Sequence, residues 1–290
     1  MKIGLPDTLR YQRYGAWWEA FLGDLGVEII KPSLPLEDAL LEGARLMPSE
    51  PSPVQLFVGR VLELAPRVDA LIVPDLNPGS EPGTGKAVDP WMVDFSSMLS
   101  RRLSLPPLHK IPTRLDQNET ASFAVRLGVA ITQNTTLVRR SMDRMQTGLK
   151  PSKPTEPLWA KPLHTSIGLV GDPSLLEEAF LLQEFLALLE KHALHAVNAS
   201  DMPRDKVLEF GRKKLPEALE TDIETVGGAT FLEGKAQILG LIALSPANAP
   251  LQTKLGKDIV KRARKPALQL ELGSPDLETK LQAFAALLQK

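Results

Sequence analysis

Ser166-Ile167-Gly168-Leu169-Val170-Gly171 is an apolar run that stops at a glycine and is followed at once by Asp172-Pro173-Ser174. That order reads as a buried strand, a tight turn and a helix start. Asp172 is suited to cap the helix, Pro173 to its first position, and Ser174 with Glu177 to a capping box. The chain opens in a similar way at Ile3-Gly4-Leu5-Pro6-Asp7, with a helix and then a strand after it. Two openings of one kind, each beginning half of a 290-residue chain, predict two similar α/β lobes. Alternating strands and helices imply parallel sheets with right-handed crossovers.

Working outward, apolar residues at helical spacing (Trp17, Phe21, Leu22 and Leu25) predict a helix over 9–25, closed by Gly26. Strands are expected at 2–5, 27–30, 70–74 and 109–113, and helices at 36–46, 54–64, 119–127 and 135–145. Ala70-Leu71-Ile72-Val73 is continuously apolar, as in a parallel strand covered on both faces. Pro151, Pro154, Pro157 and Pro162 forbid helix or central strand. We therefore expect a first lobe at 1–150, a proline-rich crossing segment at 151–164 and a second lobe at 165–290. The last helix is a candidate to pack back on the first lobe. In the second lobe one long helix is expected from 174 to 191, apolar over most of its circumference and so buried on more than one side. Strands at 195–197, within 236–244 and at 267–272, and helices at 206–215 and 277–288, complete it.

Composition narrows the function. Lys plus Arg number 34 and Asp plus Glu 35, a net charge of -1, so no global field attracts nucleic acid or anionic lipid. The longest helical apolar stretch, 179–189, is too short to span a bilayer, and the start has too short an apolar run for a secretory signal. The expectation is a soluble cytoplasmic protein that binds neither nucleic acid nor membrane. There is no cysteine. That excludes disulfides, thiolate-held zinc, cysteine nucleophiles and an all-cysteine iron–sulfur cluster.

Ligands of parallel α/β lobes sit beyond the carboxyl ends of the strands, and with two lobes the expected site is a cleft between them. Candidates there are Tyr11, Arg13 and Tyr14 after the first strand, Asp75 after the third, Asp89, Arg114 after the fourth, and Asn248 in the second lobe. Trp17 reads better as packing, and Asp116 with Glu119 as a helix cap. Gly83-Thr84-Gly85-Lys86 lacks the spacing and the Ser or Thr of a phosphate-binding loop and reads as a flexible Gly/Pro segment. His192 and His195 have no third ligand nearby, so no metal site is expected. Arg139, Arg140, Arg144 and Lys150 form a basic face, read as solvated helix surface.

Lys2-Ile3-Gly4-Leu5-Pro6 with Tyr11-Gln12-Arg13-Tyr14-Gly15-Ala16-Trp17-Trp18-Glu19-Ala20-Phe21, the block Pro53 to Val61, and Leu277 to Phe284 resemble, in this order, proteins related to component D of 2-hydroxyacyl-CoA dehydratases. The likeness is nearest to the branch described as acyl-CoA dehydratase activase-related. It implies two Rossmann-like lobes with an iron–sulfur cluster between them on cysteines from separate loops. The positions matching those cysteines carry Pro51, Asp89 and Asn248 here. Proline has no donor atom and asparagine is a poor ligand for iron, so no cofactor is expected. Three readings stay open. One is a non-redox protein binding a small ligand (an acyl-CoA being the kind the resemblance implies) or a protein partner. The second is a non-redox enzyme using cleft carboxylates, and the third a scaffold or homo-oligomeric subunit.

Overall fold

The computed structural model of the chain describes residues 1–77, 88–113, 115, 119–145, 149 and 158–289. Two compact units divide it, each built on its own sheet. The first runs β1 (Lys2–Gly4), α1 (Tyr11–Asp24), β2 (Glu28–Ile30), α2 (Leu36–Leu46), α3 (Ser52–Leu64), β3 (Ala70–Asp75), α4 (Pro90–Val93), α5 (Phe95–Arg102), β4 (Leu108–Pro112), α6 (Glu119–Thr132) and α7 (Thr135–Met145). The second runs β5 (Thr165–Gly171), α8 (Pro173–Leu176), α9 (Ala179–Lys191), β6 (Leu194–Asn198), α10 (Arg204–Lys214), α11 (Glu220–Glu233), β7 (Gly240–Ser245), α12 (Pro250–Arg262), β8 (Ala267–Glu271) and α13 (Leu277–Leu288).

Each unit has a four-stranded sheet, ordered β2-β1-β3-β4 in the first and β6-β5-β7-β8 in the second. Every pairing is parallel, with Gly4 opposite both Ile30 and Leu71, and Leu169 opposite both Asn198 and Ile242. The α/β fold with two parallel-sheet lobes is thus as the sequence implies. Because a parallel strand is reached only by a crossover, helices cover both faces, and the inner strands are buried along their length. Ala70 to Val73 and Gly240 to Ser245 are buried throughout. In the first core, α1 buries Tyr14, Trp17, Trp18, Phe21 and Leu22 against Ile3, Ile72 and Ile111. Trp17 stacks on Phe21 at 5.3 Å and donates its indole N–H to the Met145 carbonyl at 3.2 Å, which settles it as packing.

The second lobe corrects the sequence reading in two respects. The helix expected over 174–191 is broken into α8 and α9 at Glu177 and Glu178. The break resets the helical phase, so α9 buries Leu182, Phe185 and Leu189 on one side while Leu186 lies exposed; it is not enclosed all round. Further, α11 and α12, like α4 and α5, are helices where the sequence pattern raised none. Residues 158–164 carry no helix or strand, and 151–157 of the expected crossing segment lie outside the described residues.

Two helix contacts depend on glycine for want of space. A Cβ on Gly43 would stand 1.7 Å from the Gln55 carbonyl oxygen, and one on Gly59 1.8 Å from that of Ala39, so α2 and α3 touch backbone to backbone. Gly59→Ala must push the helices apart, and a loss of about 1–3 kcal/mol is expected by chemical denaturation. The control is Gly23→Ala, at an exposed helical position where a Cβ meets nothing within 4 Å. It is expected to gain up to about 1 kcal/mol from helix propensity.

Candidate functional site

In both sheets the crossovers leave the inner strand in opposite directions, β1 toward β2 and β3 in one and β5 toward β6 and β7 in the other. Each lobe therefore has its own switch point, and the loops beyond the carboxyl ends of those strands are where a doubly wound lobe takes a ligand.

In the first lobe β1 leads into a loop that is buried except at Asp7. Leu9 and Arg10 are both left-handed, with φ of 57° and 66°. Left-handed backbone costs a residue with a Cβ about 1–2 kcal/mol, so two in succession mark a constrained turn. Tyr14 braces it, its hydroxyl reaching 3.5 Å from the carbonyls of Thr8 and Leu9. Arg10 is 1% exposed, and the Thr8 hydroxyl is buried with no hydrogen-bond partner among the described residues. Outside the turn, Asp7 pairs with the buried Arg60 of α3 at 3.1 Å. Arg60 also donates to the Leu34 carbonyl and lies 3.4 Å from Glu63, which accepts from the backbone N–H of Leu34 at 2.9 Å. Burial alone would raise the Glu63 carboxyl, but the hydrogen bonds from Ser33 and Leu34, with Arg60 beside them, outweigh it and hold it below its ordinary value. The network ties the loops after β1 and β2 to α3.

Asp75 ends β3. Its carboxylate accepts from the Asn77 N–H at 3.3 Å, and its carbonyl accepts from the Thr113 hydroxyl at 3.1 Å. Asn77 donates from its amide to the Met92 carbonyl at 2.8 Å and so fastens α4 to the end of β3. Burial raises the Asp75 carboxyl above its ordinary value; Asn77 and Lys110 pull it back, and Asp94 adds to the rise. For Asp94, burial is overcome by the Ser97 hydroxyl and N–H, the Ser96 hydroxyl and nearby Lys110, which bring it down to about 2. The neighbourhood thus holds one carboxyl raised above its ordinary value and one lowered below it. Environments that drive the proton affinities of neighbouring acids apart are those that assign acid and base roles.

The second lobe repeats the plan with different groups. Asp172 caps α8, its carboxylate accepting from the Ser174 N–H at 2.7 Å. After β6, Asn198 accepts from the Ser200 N–H at 3.1 Å and donates to the Leu176 carbonyl at 2.9 Å. Thr225 of α11 lies 3.1 Å from the Gly171 carbonyl, and Arg204 bridges Glu220 and Glu224. A hollow of about 10 Å3, room for one water-sized group, opens between Asp172, Asp222, Thr225 and Gln252. Gln252, in the first turn of α12, is 8% exposed, and both polar atoms of its amide lack a partner among the described residues. An amide offers one donor and one acceptor function, so the hollow suits a small polar group that bonds both ways.

The sequence candidates fall unevenly on this ground. Tyr11 begins α1 and lies edge-on to Tyr14, its ring over Gly15, while Tyr14 is 1% exposed and serves the loop from within the core. Arg13 is half-buried on the same helix turn. Asp75 is the last residue of β3. Asp89 is the residue before α4, with no side-chain capping bond, and Pro51 is buried just ahead of α3. Asn248 is exposed in the loop after β7 with φ 60°, a left-handed position that asparagine tolerates, and it belongs to the other unit from Asp75. Arg114, Asp116, Lys150 and the Gly83–Lys86 segment lie outside the described residues. Thr8, Arg10, Asn77 and Gln252 were not found by sequence reasoning; no motif marks them. Two of the histidines have structural partners: His164 lies 2.9 Å from the Pro162 carbonyl and His195 2.7 Å from that of Leu158. Among the described residues no group of three His, Asp or Glu is placed to hold a metal ion, and no helix is long and apolar enough to cross a membrane.

Residues 2–134, the span that builds the first sheet, match the family described as CoA enzyme activase uncharacterised domain (DUF2229). The first lobe is similar to that domain. No curated protein matches the sequence. Among solved structures, a crystal structure of ZnuA aligns at 11% identity over 100% of this chain and 98% of that one, with a TM-score of 0.27. The dinucleotide forming acetyl-coenzyme A synthetase 1 of Ca. Korarchaeum cryptofilum, in complex with phosphate and ADP, aligns at 14% identity with a TM-score of 0.26. The alignment covers 99% of this chain and 63% of that one. Likenesses this slight carry no argument about fold or activity.

Asp75 supplies a test of its site. Its folded-state affinity for a proton exceeds that of the unfolded chain, so ionisation costs stability once the pH rises above the ordinary value of 3.8. Asp75→Asn removes that cost. Its melting temperature is expected to exceed that of the natural protein at neutral pH, with the difference closing as the pH falls below 3.8. An equal or lower melting temperature at neutral pH would show that the carboxylate is not held at a cost.

Proposed function

We propose that the protein is a non-redox relative of component D of 2-hydroxyacyl-CoA dehydratases, and that it binds a small ligand of the acyl-CoA kind at the carboxyl ends of its parallel strands. The observation that carries this reading is the pairing of a CoA-enzyme domain match over residues 2–134 with a sequence that has no cysteine. An iron–sulfur cluster needs soft sulfur donors. At the positions matching the family's cysteines stand a proline, an aspartate and an asparagine (Pro51, Asp89 and Asn248), of which only the aspartate offers an anionic donor, and a hard one. The residues present do not fit the cluster, and no electron-transfer step is derived for this chain.

What is left is a scaffold with two switch points, each lined by polar groups rather than by a nucleophile and its base. In the first lobe the buried Thr8 hydroxyl, Asp75 and Asn77 stand at the strand ends. A second reading, a non-redox enzyme, is favoured by one observation: Asp75 is a carboxyl pushed toward its protonated form, as a general acid or base would be. The reading of a scaffold that works by association loses its motive, because α9 has an ordinary single buried face.

Anaerobic purification with iron and sulfide analysis, followed by thermal-shift titration with CoA and its acetyl and longer acyl esters, tests the proposal. A colourless protein with substoichiometric iron, stabilised by the esters, is expected. Stabilisation of about 2–3 kcal/mol accompanies a ligand at a hundred times its Kd. A brown protein with chelation-resistant iron would overturn the non-redox reading, and no shift with any ester the acyl-CoA one.

A further inference from the structure

A larger space lies at the opposite end of the second sheet. It is a groove of about 440 Å3 between α11 and α12, within the range of small-molecule sites. Both helices cover the same face, since α11 packs on β5 and β7 and α12 on β7 and β8. Helices so placed ordinarily interdigitate. Here α11 turns Val226, Ala229, Thr230 and Glu233 toward the gap, and α12 turns Leu255, Asp258, Ile259 and Arg262. Both sets follow the three-and-four spacing of a single helix face, yet they leave a space between them. Leu241, near the start of β7, lines it too, and Lys214 and Leu215 come from the end of α10.

The lining divides by chemistry. Inside it is aliphatic. Around it stand Lys214, Arg262 and Arg264 against Glu233 and Asp258. Glu233 is taken by Arg264, through its backbone N–H and through its guanidinium at 3.3 Å. Lys214, Arg262 and Asp258 are exposed and make no hydrogen bond or ion pair among the described residues. Lys214 and Arg262 each close a helix, where a cation is favourable on its own account. The helix end explains the charge but not the space beside it. Two uncommitted cations and one uncommitted acid leave the groove one positive charge in excess.

We propose that this groove binds a monoanionic amphiphile: a carboxylate on an unbranched apolar chain, its chain along Val226, Ala229 and Ile259 and its head between Lys214 and Arg262. The proposal does not rest on the acyl-CoA reading: Lys214, Arg262 and Leu241 lie toward the amino ends of the strands, and Leu255 and Ile259 form the wall between this groove and the hollow at Gln252. It adds a second site to the lobe.

Calorimetric titration of the full chain with dodecanoate below its micellar concentration, with dodecanol as the uncharged control, tests it. One saturable site for dodecanoate is expected, with dodecanol about tenfold weaker, as the loss of two exposed ion pairs implies. The double variant Lys214→Gln/Arg262→Gln, at two exposed positions, is expected to weaken dodecanoate about tenfold and to leave dodecanol unchanged. Ala229→Trp, with its fold checked by circular dichroism, is expected to abolish binding of both. The proposal is overturned if dodecanoate shows no saturable site, if acid and alcohol bind equally, or if the charge variant binds dodecanoate as the natural chain does.

Discussion

The inner strands of both sheets are covered on both faces, and the rest of the structure follows from that constraint. A strand with no solvent side can carry no polar side chain without a partner, so β3 and β7 are apolar almost throughout. Their polar business is displaced to their carboxyl ends: Asp75, the last residue of β3, with Asn77 beyond it, and Ser245, the last residue of β7, whose hydroxyl lies 2.9 Å from that of Thr253. The same constraint dictates the loops. A chain leaving a buried strand must turn while still enclosed, and backbone N–H groups there need acceptors. Asp172, Asn198 and Asp75 each supply one, to Ser174, Ser200 and Asn77. The polar side chains at the strand ends thus build the turns as well as any ligand site, and their presence alone does not tell the two uses apart.

Groups that the turns do not consume are more telling. Thr8 and Gln252 keep buried polar atoms that the described residues leave unpartnered. An unsatisfied buried donor or acceptor costs about 1–3 kcal/mol, and a fold has no structural reason to retain it. Burial raises the Asp75 carboxyl above its ordinary value. These three stand at the carboxyl ends of β1, β7 and β3, the places where the topology alone would put a ligand.

Much of the fold was legible because its signals are local. Ala70 to Val73 could only be a doubly covered strand, and Asp172-Pro173-Ser174 could only open a helix. The failures share a cause. No helix is expected from the sequence over α11, which holds Gly227 and Gly228; a Cβ on Gly227 would stand 1.9 Å from the Val207 carbonyl oxygen and one on Gly228 2.8 Å from Ala199. Those glycines exist to let α10 and the turn after β6 approach, a fact held by residues far away in the sequence. No helix is expected from the sequence over α12 either; Pro250 occupies its first helical position, where a missing N–H costs nothing. In the helix of 174–191 the apolar count was right and the phase wrong, since two glutamates interrupt it. Asp75 was legible as the residue ending an apolar strand. Thr8 and Gln252 were not, because being unpartnered is a property of the surroundings and not of the residue.

The absence of cysteine bears on how a lobe of the proposed kind can be used. A lobe with no metal centre must hold its strand-end loops by other means. In this chain the loops at Pro51, Asp89 and Asn248 are held in that way. Pro51 is buried ahead of α3, whose Arg60 and Glu63 join the loops after β1 and β2; Asp89 precedes α4, which Asn77 fastens to β3; Asn248 takes a left-handed turn into α12. Each anchor is a hydrogen bond, an ion pair or a backbone conformation, none of which needs a metal to persist. A scaffold stabilised in this way retains its strand-end geometry without a redox centre, which is the condition a binding or acid–base role requires.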